Sequence, residues 1–304
     1  MPWLQLKAHV APEQAETLEE LLLAEGATAI TLQDAHDDPV FEPERGSTPL
    51  WHETVLTGLY DDLEGVDAML ERVHQAWAAE QPEDPCPEVE VELLADRDWE
   101  REWMDDFTPM QMGERLWIVP SWHEPPEPGA VNLHLDPGLA FGTGTHPTTA
   151  LCLAWLDALA ITEALDGQAV LDIGTGSGIL AIAALKLGAR RALGTDIDPQ
   201  ALTASRDNAE RNGVAETSLG LCYPEQLDDA EAFPIVVANI LAGPLVEMAP
   251  MIAGHVATGG RLALSGILEN QAEEVLQVYR EQGLLMDDAV TREGWVRLTG
   301  RRPA

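Results

Sequence analysis

Three glycines at alternate positions, Gly174, Gly176 and Gly178, follow the apolar run "AVLDI" and precede "ILAIAALKLG". Strand, glycine turn and helix in that order bring bare main chain and the unpaired N–H groups of a helix N-terminus to one point, which suits a nucleotide-like ligand. Taken alone the pattern is ambiguous, because glycines also permit close strand–helix packing. Spacing narrows it. A dinucleotide fingerprint requires glycines at 174, 176 and 179, yet position 179 is Ile, and no Gly-Lys-Ser/Thr follows to make a phosphate loop. Asp172 stands at the end of the strand. A second carboxylate, Asp196 in "GTDIDP", comes 22 residues after Gly174 at the tip of the next strand, where it can accept hydrogen bonds from both hydroxyls of a ribose. Asn239 ends a third apolar run, "IVVANI", at the carboxyl end of the sheet, where an amide and nearby main-chain carbonyls can orient an N–H donor.

The elements that must hold these residues alternate from about residue 150 onward. "AVLDIG", "RALGTDI", "IVVANI" and "RLALSGI" are short apolar strands, followed by helices "GILAIAALKLG", "PQALTASRDNAERNG", "AGPLVEMAPMIAGHV" and "QAEEVLQVYREQG". That order predicts an α/β, doubly wound, mostly parallel sheet, with "LLMDDAVTREG" and "WVRLTGR" as an antiparallel hairpin at its edge. The first hundred residues read differently. "WLQLKAHV", "PEQAETLEELLLAEG", "ATAITLQDA", "ETVLTGLYD", "LEGVDAMLERVHQAWAAE" and "EVEVELLAD" alternate periods of two and 3.6 in the order βαββαβ, the ferredoxin-like α+β arrangement. The expected boundaries are 1–95 for this smaller domain, 96–130 for a linker and 131–304 for the larger domain. Trp99 and Trp103, four apart inside the linker, read as one face of a short packed helix.

Charge bounds the partners. The chain has 17 Lys and Arg against 53 Asp and Glu, a net charge of −36, with Lys7 and Lys186 as its lysines. Acid enrichment from end to end fits a salt-loving habitat, where screening makes self-repulsion tolerable; the competing reading is attraction of a basic partner. Either way the field repels nucleic acid, and the ferredoxin-like strands offer mainly Trp3 and Tyr60 for base stacking, so direct nucleic-acid readout is not expected. Cys86, Cys152 and Cys222 are far apart and lack zinc or disulfide spacing. No apolar run approaches a membrane span, and the N-terminus lacks the apolar core of a signal peptide. These features predict a soluble cytoplasmic protein.

"LDIGTGSG" resembles motif I of the class I S-adenosylmethionine-dependent methyltransferases. Together with "LDPGLAFGTGTHPTTALCLAWLD" (135–157) and "NILAGPL", the chain resembles one family closely, the methyltransferases of large-subunit ribosomal protein eleven. The resemblance runs over almost the whole length, through "FEPERG", "DWEREWMDDF", "GERLWIVPSW", "DIDPQALTASRDNAERNGV" and "LSGIL". One departure is local: many nitrogen methyltransferases carry Asn-Pro-Pro-Tyr where this chain has Asn239-Ile240-Leu241-Ala242. The resemblance implies a seven-stranded class I methyltransferase sheet and a ferredoxin-like domain that grips the ribosomal protein. It implies S-adenosylmethionine as methyl donor, no metal, and trimethylation of lysine side chains and the N-terminal α-amine by a monomer. Carried over by position, Thr148, Thr149, Gly174, Gly176, Asp196 and Asn239 hold the donor, Phe141 covers its sulfonium or adenine end, and Asn239 is the catalytic position.

The chemistry this implies is modest in bond-making and demanding in placement. A sulfonium is already an activated methyl donor, and alignment alone can be worth about 7 to 11 kcal/mol. A lysine of ordinary pKa is neutral only about once in 2,500 molecules at pH 7, a cost of about 4.6 kcal/mol, whereas an α-amine costs about 1 kcal/mol. A desolvated pocket lowers an ammonium pKa, so the proton can leave without a dedicated base. His146 is the alternative base, with a turn-fixing role before Pro147 as its plainer reading. The competing functions are methylation of another protein or a small molecule, a non-catalytic ribosome-assembly factor that binds the donor, and a nicotinamide oxidoreductase, disfavoured by Ile179.

Overall fold

Alternation in "WLQLKAHV" becomes strand β1, Trp3–Val10, with Leu4, Leu6, Ala8 and Val10 buried on one side. The computed structural model describes residues 3–36, 51–61, 65–94, 107–136, 145–228 and 230–304; Trp99, Trp103 and Phe141 lie outside them. Helix Pro12–Ala24 follows β1 and buries Ala15, Leu18 and Leu22, three or four residues apart as one helical face requires. Strands β2 (Ala29–Asp34) and β3 (Thr54–Tyr60), helix Val66–Glu80 and strand β4 (Val89–Leu94) complete the series. The second helix buries Met69, Val73 and Trp77, and the indole of Trp77 donates to Asp84 O at 3.0 Å. The sheet order is β2-β3-β1-β4, antiparallel throughout, and both helices share one core with β1.

The chain divides into the units Met1–Trp103 and Met104–Ala304. Residues 107–130 of the expected 96–130 linker fall within the second unit. Strands β5 (Met110–Gln111) and β6 (Leu116–Val119) pair with β7 (Val131–His134) in a three-stranded sheet. The cause is apolar burial: Leu116, Ile118 and Leu133 belong to the main core of the second unit. Buried Asp157, on helix Pro147–Ile161, fixes the β5–β6 turn by accepting from the N–H groups of Glu114 (2.6 Å) and Arg115 (3.1 Å).

The larger sheet contains β8 (Ala169–Ile173), β9 (Arg191–Thr195), β10 (Leu219–Cys222), β11 (Phe233–Asn239), β12 (Val256–Leu268), β13 (Leu285–Met286), β14 (Val290–Arg292) and β15 (Trp295–Arg301). Its order is β10-β9-β8-β11-β12-β15-β13, with β14 an eighth strand paired to β15. The five strands from β10 to β12 are parallel and β15 is antiparallel to both its neighbours. The antiparallel hairpin expected at the edge is present: β13 and β14, both within 284–294, pair with β15, which joins them to β12. Helices Pro147–Ile161 and Ile179–Lys186 contribute to the core on one face, and Ala242–Glu247, Ala249–Gly254 and Ala272–Glu281 to that on the other. The single helix expected over 242–256 is two, interrupted at Met248, because Pro250 has no N–H to continue the hydrogen-bond ladder. Strand order runs outward from β8 in both directions, so the crevice of this sheet lies between the carboxyl ends of β8 and β11. All three cysteines are free, and among the described residues no helix is long and apolar enough to cross a membrane.

Candidate active site

The turn after β8 is built from its own main chain. The N–H groups of Gly174 and Thr175 donate to Thr195 O at 2.8 and 2.9 Å, Gly178 N donates to Thr175 O at 2.8 Å, and helix Ile179–Lys186 begins immediately after. Gly174, Gly176 and Gly178 all have positive φ, +70°, +56° and +78°. Gly174 is required twice over: its backbone disfavours any side chain, and a Cβ there would overlap Cγ2 of Ile240. The floor of the turn comes from helix Pro199–Arg211, where Ser205 Oγ donates to Gly176 O and Asn208 Nδ2 to Ser177 O, both at 2.9 Å. These two supports went unnoticed in the sequence, since nothing local marks a polar residue in a helix as the prop of a distant loop.

Two carboxylates address the turn. Asp172 is fully buried; its Oδ2 accepts from Thr175 Oγ1 at 2.8 Å and Ala181 N at 3.1 Å, while its Oδ1 is buried with no hydrogen-bond partner. Burial pushes the Asp172 carboxyl up to about 6, opposed by the Thr175 and Ala181 hydrogen bonds and helped by the negative charge of Asp196. Asp196, half-buried after β9, accepts from Gly176 N at 2.9 Å through Oδ2 and from Asp198 N at 3.0 Å through Oδ1. Each oxygen keeps a further lone pair for a ligand. Ile197 beside it is 82% exposed, an apolar surface next to the Asp196 carboxylate that the sequence alone does not mark.

Asn239, Thr148 and Thr149 form a second group. Asn239 ends β11 and donates through Nδ2 to Thr149 Oγ1 at 3.3 Å; both threonines are buried in the first turn of helix Pro147–Ile161. His146 caps that helix. Its Nδ1 lies 2.7 Å from Thr148 Oγ1 and 3.4 Å from Thr148 N, and its ring meets Trp295 edge-on with centroids 4.7 Å apart. Burial holds the imidazole below its ordinary pKa, with Glu293 opposing. The structure thus brings Gly174, Gly176 and Asp196 into one hydrogen-bonded group and Thr149 with Asn239 into another. Ile240 touches the first and follows Asn239 in the second. Phe141 falls outside the described residues.

The strand order, the glycine turn and the strand-tip carboxylate define a class I S-adenosylmethionine-dependent methyltransferase domain. Comparison with known proteins takes this further. The family model described as ribosomal protein L11 methyltransferase (PrmA) matches residues 2–303. A ribosomal protein L11 methyltransferase of Chromohalobacter salexigens is 75% identical over 304 residues, covering 100% of both chains. One from Pseudomonas putida is 56% identical over 302 residues, covering 99% of this chain and 100% of that one. A crystal structure of a ribosomal protein L11 methylase from Lactobacillus delbrueckii subsp. bulgaricus aligns with TM-score 0.57 at 35% identity, over 65% of this chain and 100% of that one. The chain belongs to the ribosomal protein L11 methyltransferase family.

Proposed function

We propose that this enzyme trimethylates lysine side chains and the N-terminal α-amine of ribosomal protein L11, with S-adenosylmethionine as donor. The observation that carries the reading is the bare main chain at the crest of β8 facing Asp196 at the tip of β9, on the same crevice as Asn239. The residues present fit such a donor. Gly174 and Gly176 leave room for close approach, Asp196 has lone pairs for the ribose hydroxyls, and Ile197 offers an apolar surface for a base. Thr148, Thr149 and Asn239 close the donor site on the β11 side. The donor supplies a methyl already activated by its sulfonium. The protein's part is placement: Asn239 orients the acceptor nitrogen and the low-dielectric crevice disfavours the ammonium form. His146 is engaged by Thr148, which supports a capping role and leaves the amine proton to water.

In this reading the unit Met1–Trp103 grips L11, and the enzyme works as a cytoplasmic monomer without reading nucleic acid. The test is mass spectrometry of L11 after incubation with enzyme and isotopically labelled donor. Labelled trimethyl groups on lysine and on the N-terminus are expected. No label transfer, with donor binding intact, would leave a donor-binding assembly factor in place of an enzyme.

A further inference from the structure

One residue touches both halves of the site. Ile240 follows Asn239, and its Cγ2 fills the space where a Cβ on Gly174 would lie. Its main chain is held from the other side. A Cβ on Gly266 would overlap the carbonyl carbon and oxygen of Ile240 and come within 3.1 Å of its nitrogen, and Gly266 has φ +87°. Gly266 sits where the register of β12 against β15 shifts, between Leu264 and Ile267, an irregularity of the kind that re-aims a strand beside a site. Neighbouring Ser265, fully buried, anchors that irregularity by donating from Oγ to Val296 O at 2.9 Å. Ile240 is therefore pinned between two positive-φ glycines, by its side chain on the donor loop and by its main chain on β12.

We propose that Ile240 is a positioning residue whose β-branched methyl sets the separation between the glycine loop and Asn239, with Gly266 holding its main chain in place. This rests on the reading of Gly174 as donor loop and Asn239 as the amide that orients the acceptor. A β-branched side chain suits a spacer because its χ1 is stiff. The role matters because a misplacement of about 1 Å in the reacting groups can cost about a hundredfold in rate.

Two substitutions separate a spacer from ordinary packing. Ile240→Val keeps Cγ2 and loses volume elsewhere; Ile240→Leu keeps the volume and removes the branch. The spacer role predicts that Val retains kcat within about threefold. It predicts that Leu lowers kcat by about ten- to a hundredfold while KM for L11 and the calorimetric donor affinity stay within about threefold. Gly266→Ala is expected to show the same split as Leu, and if that variant fails to fold the Val and Leu pair still decides. Equal kcat for Val and Leu, or a larger loss for Val, overturns the proposal. Failure of the unsubstituted enzyme to bind donor would instead overturn the reading of the site.

Discussion

The two units of this chain use their acids in opposite ways. Residues 1–103 hold 26 Asp and Glu against 5 Lys and Arg, a difference of −21, whereas residues 104–304 hold 27 against 12, a difference of −15. Net negative charge per residue is thus about 2.7 times higher in the smaller unit. Accessible area scales as mass to the power 0.73, so its surface per residue is only about 1.2 times larger. Adaptation to salt alone would load both units in proportion to surface; the excess on the smaller one fits a basic partner held there. In the larger unit the informative acids work singly. Asp157, Asp172 and Asp196 each accept main-chain N–H groups and so shape turns. Buried carboxylates act over one hydrogen bond, and surface carboxylates act as a field that salt can screen.

The largest expected effect breaks the two units apart. Residues 104–304 alone contain two of the three apolar cores, so they are expected to bind donor with affinity within about threefold of the full chain. Turnover on L11 should fall by about a thousandfold, the scale on which a tethered binding module raises effective concentration. Unchanged turnover would mean that the smaller unit does not hold L11. Next in size, Gly174→Val places a β-branched side chain at φ +70° against Ile240. Donor affinity by calorimetry is expected to drop by about a hundredfold or more, with L11 binding through the smaller unit retained. Smaller again is the salt response. Raising salt from about 0.1 to 1 M shortens the screening length from about 10 to 3 Å; KM for L11 should rise by about tenfold while donor affinity moves little. A flat KM would return the acidity to habitat.

Legibility in the sequence followed the range of the interactions. The glycine turn could be read because strand, glycine and helix are consecutive, and all three glycines do adopt positive φ. Asp196 and Asn239 could be placed because strand tips follow from the apolar runs. The β5–β6–β7 sheet could not: Met110–Gln111 is two residues long, too short for alternation to show. The insertion of β15 between β12 and β13 is a choice of partner made across the sheet, and β10 and β13 are short strands with no distinctive pattern. Pro250 did carry a local warning that helix 242–256 would break. Ser205, Asn208, Ile240 and Gly266 matter through what they touch 26 to 66 residues away, which no window of sequence contains.

Asp172 tests the buried half of the comparison. Its folded pKa is raised by burial to about 6 from 3.8, so the folded state binds the proton more tightly than the unfolded one. Its contribution to stability is full below the unfolded value and is lost as pH rises through the folded one. Asp172→Asn removes that dependence. The substituted protein should gain several degrees in unfolding temperature relative to the parent at pH 8 and less at pH 5, measured by thermal scans at both. An equal gain at the two pH values would mean that the carboxylate is not protonated in that range.

The smallest effect expected is at His146, where two accounts of proton removal part. Thr148 N donates to Nδ1, so the neutral ring carries its proton on Nε2, and Nδ1 serves as a helix cap. Burial lowers its pKa, and a lowered imidazole pKa contributes stability that is present above the unfolded value and lost as pH falls through the folded one. A general base at that position would use the same neutral ring, so protonation state alone does not separate the accounts; a substitution that keeps an acceptor does. Gln can still accept from Thr148, so His146→Gln is expected to cost no more than about 1 kcal/mol in stability. It should lower kcat by less than about fivefold, with the slope of kcat against pH between about 6 and 8 preserved. General-base assistance is worth about 10² to 10⁴ in rate. A loss of that size at unchanged donor affinity would make His146 the base and leave placement by Asn239 insufficient to explain the transfer.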